Sequence, residues 1–124
     1  VQRLKRAGFA LGGVTNKPDF RAREIVGKFY PGLFDRVQGH TTEFPHKPDP
    51  ALTNDVLASL GAPAQNSFFV GDSGVDMQTA RNAGLTGIGV LWGFRDGAEL
   101  SQNGAAALVS TAQELLDILL HHTV

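Results

Sequence analysis

Asp72 and Asp76 are the residues of this chain whose type and spacing most clearly allow chemistry. They stand four residues apart in Gly71-Asp72-Ser73-Gly74-Val75-Asp76. On a helix that spacing is about one turn, so both carboxylates can face one side. Hard oxygen donors of this kind suit magnesium, which takes one or two carboxylates and completes its shell with water and substrate phosphate. The same letters also read as a helix start, because Ser73-x-x-Asp76 is a capping pattern and acids are stabilised at the positive helix end. Cap and metal site can coexist.

Two more groups could act on a phosphate. Thr15-Asn16 follows a short apolar run and precedes a helix. Its hydroxyl, amide and following backbone N–H groups would form a phosphate cradle; the plainer reading is a turn in which Thr or Asn caps the helix. Lys47 lies in His46-Lys47-Pro48-Asp49-Pro50, where two prolines stiffen the loop. A fixed cation there would offset repulsion between phosphate and carboxylates and stabilise charge in a transition state; otherwise it is a solvated loop lysine.

The elements that must position these residues alternate along the chain. Val1 to Ala7 before Gly8 reads as the last turns of a helix, either a remnant of something longer or a frayed N-terminal helix. Phe9 to Thr15 reads as a buried strand, and Pro18 to about Phe29 as a helix with Ala22, Ile25, Val26 and Phe29 on its inner face. A short strand around Phe34 and Val37 follows, then a polar loop from Thr41 to Asp49. Asp49 should cap a helix that begins at Pro50, carries Leu52, Val56, Leu57 and Leu60 inward and stops at Gly61. Ser67 to Val70 is a second buried strand, Gly74 to Ala83 a helix stopped by Gly84, and Leu85 to Trp92 a third strand. Ala105 to Val109 reads as a short fourth strand, and Thr111 with Glu114 as a capping box for a final helix through about Leu120. Alternation of this kind implies an α/β, Rossmann-like parallel sheet flanked by helices in one domain over 1–124, with ligands beyond the carboxyl ends of its strands.

Composition narrows the classes. At 124 residues, 42% apolar and 19% charged, the chain matches an ordinary globular domain, and its net charge of -1 gives no reason to expect nucleic acid or an anionic membrane. It has no cysteine, which removes disulfides and thiol chemistry and fits a cytoplasmic setting. No apolar stretch approaches the ~20 residues of a membrane span. His40 and His46 look too isolated for a zinc site, His121-His122 reads as a solvated tail, and Trp92 as core or pocket wall.

Taken in order, Thr15-Asn16-Lys17-Pro18 after a strand, Lys47-Pro48-Asp49-Pro50 before a helix, Val70-Gly71-Asp72-Ser73 with Asp76, Ala80-Arg81-Asn82-Ala83-Gly84 and Trp92-Gly93-Phe94 resemble the haloacid dehalogenase superfamily. The likeness is greatest to its phosphoglycolate phosphatase-type branch and runs from about Leu4 to Leu120. The resemblance implies magnesium-dependent hydrolysis of a small phosphomonoester. It gives Thr15 a hydrogen bond to the transferring phosphoryl group, Lys47 a pairing role with nucleophile and phosphate, Asp72 a magnesium ligand and Asp76 support of that metal, with Asn16 assisting phosphate by position.

One part of the family pattern is missing. The first motif, an Asp-x-Asp ahead of Gly-Thr-Leu that supplies the nucleophile, does not occur, and neither does the helical cap that selects substrate. Asp19, Asp35, Asp49, Asp55, Asp96 and Asp117 all lie in other contexts. Without a nucleophile the covalent route is closed, so the chain by itself is expected to be an inactive fragment. The resemblance places the missing strand between those ending at Thr15 and Asp72. Its loss exposes two strand edges, which should close up, accept a complementing chain or drive self-association. The competing function is a non-catalytic phosphate-binding or protein-interaction module; a receiver-type domain would need an acid cluster near Phe9 to Val14, and none is there.

Overall fold

The computed structural model describes residues 1–42, 45–93 and 96–121. The chain divides into two compact units, Val1–Pro63 and Ala64–Val124. Phe94 and His122, which belong to two of the stretches singled out above, lie outside the described residues, as do Glu43 and Phe44 of the expected loop.

The first unit holds α1 (Gln2–Arg6), β1 (Gly12–Pro18), α2 (Asp19–Phe29), β2 (Arg36–His40) and α3 (Ala51–Leu60). β1 and β2 form a parallel two-stranded sheet. Gly12, Gly13 and Val14 pair with Arg36, Val37 and Gln38, and the register then shifts before Pro18 meets His40. The strand therefore runs to Pro18 rather than Thr15, but its ladder breaks over Thr15, Asn16 and Lys17, as bulged strands do next to sites that re-aim side chains.

The sheet gives α2 cover along one stripe only. Ala22 is buried, whereas Ile25 is 39% and Phe29 63% exposed, against the expectation that both face inward. A two-stranded sheet is too narrow to cover a 3.6-period face of that width. On α3 the expected stripe is met by Leu52 and Val56, both buried. Pro50, not Asp49, is the N-cap residue, and Asp49 Oδ1 accepts the Ala51 N–H at 2.9 Å.

Polar ties hold this unit where its apolar core is thin. Asp35 accepts from Lys5 Nζ and from the Leu11 N–H. Asp19 accepts from Arg23 Nε at 2.7 Å and from the Gly39 N–H at 2.8 Å, joining the start of α2 to the end of β2. Arg23 and then the Gly39 N–H hold Asp19 below the usual carboxylate range; Lys5 and then the Leu11 N–H do the same for Asp35. A folded-state pKa below the unfolded one gives stability that is present above the ordinary carboxylate value and lost as pH falls from there through the lowered folded-state value. Urea midpoints should therefore drop as pH is lowered below about 4, and the Asp19→Asn/Asp35→Asn double variant should show a shallower drop. An identical acid slope in wild type and variant would refute this.

The second unit carries β3 (Phe68–Gly71), α4 (Gly74–Ala83), β4 (Thr86–Val90), α5 (Gly97–Gln102), β5 (Ala107–Val109) and α6 (Ala112–His121), preceded by a 3₁₀ turn at Ala64–Asn66. Its three strands are parallel, in the order β3-β4-β5. Its core is built from Met77, Ile88, Leu100 and Val109, each at most 1% exposed. Full burial of such side chains is worth roughly 1.5–3 kcal/mol apiece. α4 ends as expected at Gly84, whose φ of 79° lets the Leu85 N–H reach back to the Ala80 carbonyl at 2.8 Å.

α5 was not anticipated. Asp96 caps it by accepting the Glu99 N–H at 2.9 Å, an Asp-x-x-Glu capping signal in the sequence. Thr111 Oγ1 accepts the Glu114 N–H at 3.1 Å, as the capping box implied. Of the two readings of Trp92, core or pocket wall, its 53% exposure rules out core; β4 ends at Val90, before it. Among the described residues no helix is long and apolar enough to cross a membrane.

Candidate functional site

The acid pair sits on the turn between β3 and α4. β3 is a four-residue strand ending at Gly71, and the chain passes through Asp72 to Ser73, the N-cap of α4. Ser73 Oγ accepts the Asp76 N–H at 3.2 Å, and Asp76 Oδ2 accepts the Asp72 N–H at 3.2 Å. Asp76 is thus buried at 8% exposure and folded back over the turn. From α5, Glu99 Oε2 accepts the Gly74 N–H at 2.7 Å, so an internal carboxylate already serves one donor of the helix start.

Asp72 differs from Asp76. It is half-buried, and among the described residues no hydrogen bond or ion pair is made to its carboxylate; its only bond there is the one its N–H donates to Asp76. A carboxylate held in place yet unpaired suits a hard cation. The described residues contain no cluster of three or more His, Cys, Asp or Glu, and so do not themselves offer the three or four protein ligands that zinc takes. The donor set fits magnesium, which keeps waters and shares its shell with substrate phosphate. Asp72 would hold it directly, with Asp76 behind.

The hydroxyl, amide and lysine group lies in the first unit, around the break in β1. Thr15 Oγ1 accepts the Lys17 N–H at 3.2 Å, an ordinary local turn bond that leaves the hydroxyl proton able to donate. Asn16 Oδ1 accepts the Lys47 N–H at 2.8 Å. The amide oxygen of Asn16 therefore fixes the loop that carries Lys47, and its nitrogen keeps the donors an anion would need. The Lys47–Pro48 peptide is cis. His40 and His46, read from sequence as isolated, are stacked with ring centroids 3.7 Å apart and planes 14° apart.

The structure thus joins Asn16 to Lys47 beside Thr15 within one unit, and Asp72 to Asp76 within the other. Sequence reasoning missed Glu99 and the stacked histidines. Asp96-x-x-Glu99 signals the start of α5 but not that Glu99 reaches Gly74 on another element, and the stacked histidines have no local signal, since six positions separate the rings along the chain.

The haloacid dehalogenase-like hydrolase family matches this chain over residues 1–90. A phosphoglycolate phosphatase of Pseudomonas syringae pv. syringae (strain B728a) is 32% identical over 114 residues, covering 91% of this chain and 42% of that protein. One from Colwellia psychrerythraea (strain 34H / ATCC BAA-681) is also 32% identical over 114 residues, covering 91% of this chain and 50% of the relative. Among solved structures, a provisionally named phosphoglycolate phosphatase from Lactobacillus delbrueckii subsp. bulgaricus superposes with a TM-score of 0.91 at 36% identity, over 95% of this chain and 49% of its own. The chain spans about half the length of these relatives.

Proposed function

The chain belongs to the haloacid dehalogenase-like hydrolase family, and we propose from that premise that the whole protein hydrolyses a small, phosphoglycolate-like phosphomonoester with magnesium. The observation that carries this reading is the Asp72–Asp76 turn, where one carboxylate is buried and bonded and the other is held without a partner among the described residues. The names of the relatives support the substrate class.

Each residue has a task in this reading. Asp72 ligates magnesium, and Asp76 fixes Asp72 through its N–H. The Thr15 hydroxyl donates to a phosphoryl oxygen. Asn16 holds the loop that presents Lys47, and the Lys47 ammonium offsets charge that grows on the phosphoryl group. Magnesium, when bound, supplies further positive charge to that group. The covalent route needs a nucleophilic aspartate of the Asp-x-Asp kind, which this sequence lacks. The chain by itself is therefore inactive in this reading.

The partner is a small phosphorylated metabolite in the cytoplasm, with neither nucleic acid nor membrane involved. β1 and β3 each lie at the edge of their own sheet, and a complementing or second chain would add there. The absent Asp-x-Asp favours a second reading for the isolated chain, a phosphate-binding or interaction module without catalysis. The test is p-nitrophenyl phosphate with magnesium and this chain: no turnover is expected. Robust turnover lost in Asp72→Ala would overturn the inactive-fragment reading.

A further inference from the structure

The acid turn is bounded by a residue to which nothing above gives a role. An ideal Cβ placed on Gly93 would stand 2.3 Å from Asp72 Oδ2, 2.5 Å from its Cβ and 2.8 Å from its Cγ. Real Cβ atoms essentially never come within 3.0 Å of another heavy atom in this way, so any side chain at 93 must displace Asp72 or the backbone. Gly93 is not among the glycines with positive φ, which are Gly8, Gly32, Gly61, Gly84 and Gly104. Backbone conformation therefore does not call for glycine there; space does.

We propose that Gly93 is a positioning residue for the cation site: its bare α-carbon forms the wall against which the Asp72 carboxylate lies, and so fixes where that ligand points. The turn is then held on three sides. Asp76 takes the Asp72 N–H, Glu99 takes the Gly74 N–H, and Gly93 bounds the carboxylate itself. Only the last contact acts on the ligating atoms. The inference rests on the magnesium reading above and adds a residue to it.

Gly97 supplies the control. It also lacks a positive φ, and among the described residues a Cβ there would meet only Leu108 at 3.3 Å and Leu91 at 3.5 Å. The experiment titrates manganese, as a paramagnetic stand-in for magnesium, into the ¹⁵N-labelled chain and follows amide broadening over residues 71–76. Wild type should broaden there first. Gly93→Ala should need roughly 10–100-fold more manganese, the range seen when groups supporting a metal ligand are removed, with amides outside the turn unmoved in the metal-free spectrum. Gly97→Ala should titrate like wild type.

If Gly93→Ala melts too low to titrate, a double-mutant cycle decides. Its stability cost should vanish in an Asp72→Gly background, where the colliding side chain is gone, and a cost that persists would overturn the proposal. Wild-type broadening with an unchanged Gly93→Ala midpoint would also overturn the role of Gly93 and leave the magnesium reading standing. A wild-type turn that does not broaden would overturn cation binding by this chain, and this role with it, whereas the magnesium reading of the whole protein is tested by its turnover.

Discussion

Asp72→Ala in the whole protein is expected to lower magnesium-dependent phosphomonoester turnover by about three orders of magnitude while leaving the fold in place. Charge stabilisation by a bound metal is worth several kcal/mol in a transition state; about 4 kcal/mol corresponds to about a thousandfold in rate. The fold should not notice the change. The bond that closes the turn is donated by the Asp72 N–H, which alanine keeps, and no described residue bonds the carboxylate that is removed. Steady-state turnover beside a thermal melt reads both halves. A variant that melts like wild type and retains most of its turnover would remove Asp72 from the chemistry. One that unfolds would assign it to structure instead.

Gly71→Ala should act on fold and site together. A Cβ at Gly71 would lie 2.3 Å from Asp76 Cβ and 2.6 Å from its Cγ and Oδ2. Asp76 cannot swing aside as a surface acid would, because its Cβ is fixed to the first turn of α4 and its carboxylate is buried over the Asp72 N–H. Forcing atoms into a closed space of this kind costs about 1–3 kcal/mol, and the relief available, rotation of the Asp76 carboxylate, breaks the bond that fixes Asp72. Urea melts of this chain should show the stability loss, and the whole protein should lose turnover as well. Gly27→Ala makes the contrast, since no atom of a described residue lies within 4 Å of a Cβ there. Gly27 lies in the last turn of α2 and is not among the glycines with positive φ, so that change should stabilise by up to about 1 kcal/mol. Equal melting of the two variants would contradict the packing argument at Gly71.

Most of the elements were legible because their signals are local. Gly61 and Gly84 stop α3 and α4 where expected, Ser73-x-x-Asp76 caps α4, and Thr111 with Glu114 opens α6. What could not be read depends on neighbours distant in sequence. Ile25 and Phe29 fit an inward stripe by periodicity, yet whether they are covered depends on the width of the sheet beneath them, and that sheet has two strands. The stacking of His40 on His46 depends on how the loop after β2 returns. At the acid turn the types and spacing of Asp72 and Asp76 pointed to a shared task, but not to their division of labour. One is buried and bonded to the backbone and the other is left without a bond among the described residues, and only folded coordinates separate them. Gly93 is the extreme case: glycine at a strand end suggests a turn, whereas its consequence here is a volume kept empty beside a carboxylate from another loop.

The most direct test of the central claim, that this acid turn serves a magnesium-dependent phosphoryl chemistry, is phosphomonoester turnover by the whole protein as a function of magnesium. Turnover should fall to background in a chelator and return when magnesium is added back. Turnover undiminished in the chelator would contradict the claim, because carboxylates at the end of β3 would then have no cation to hold.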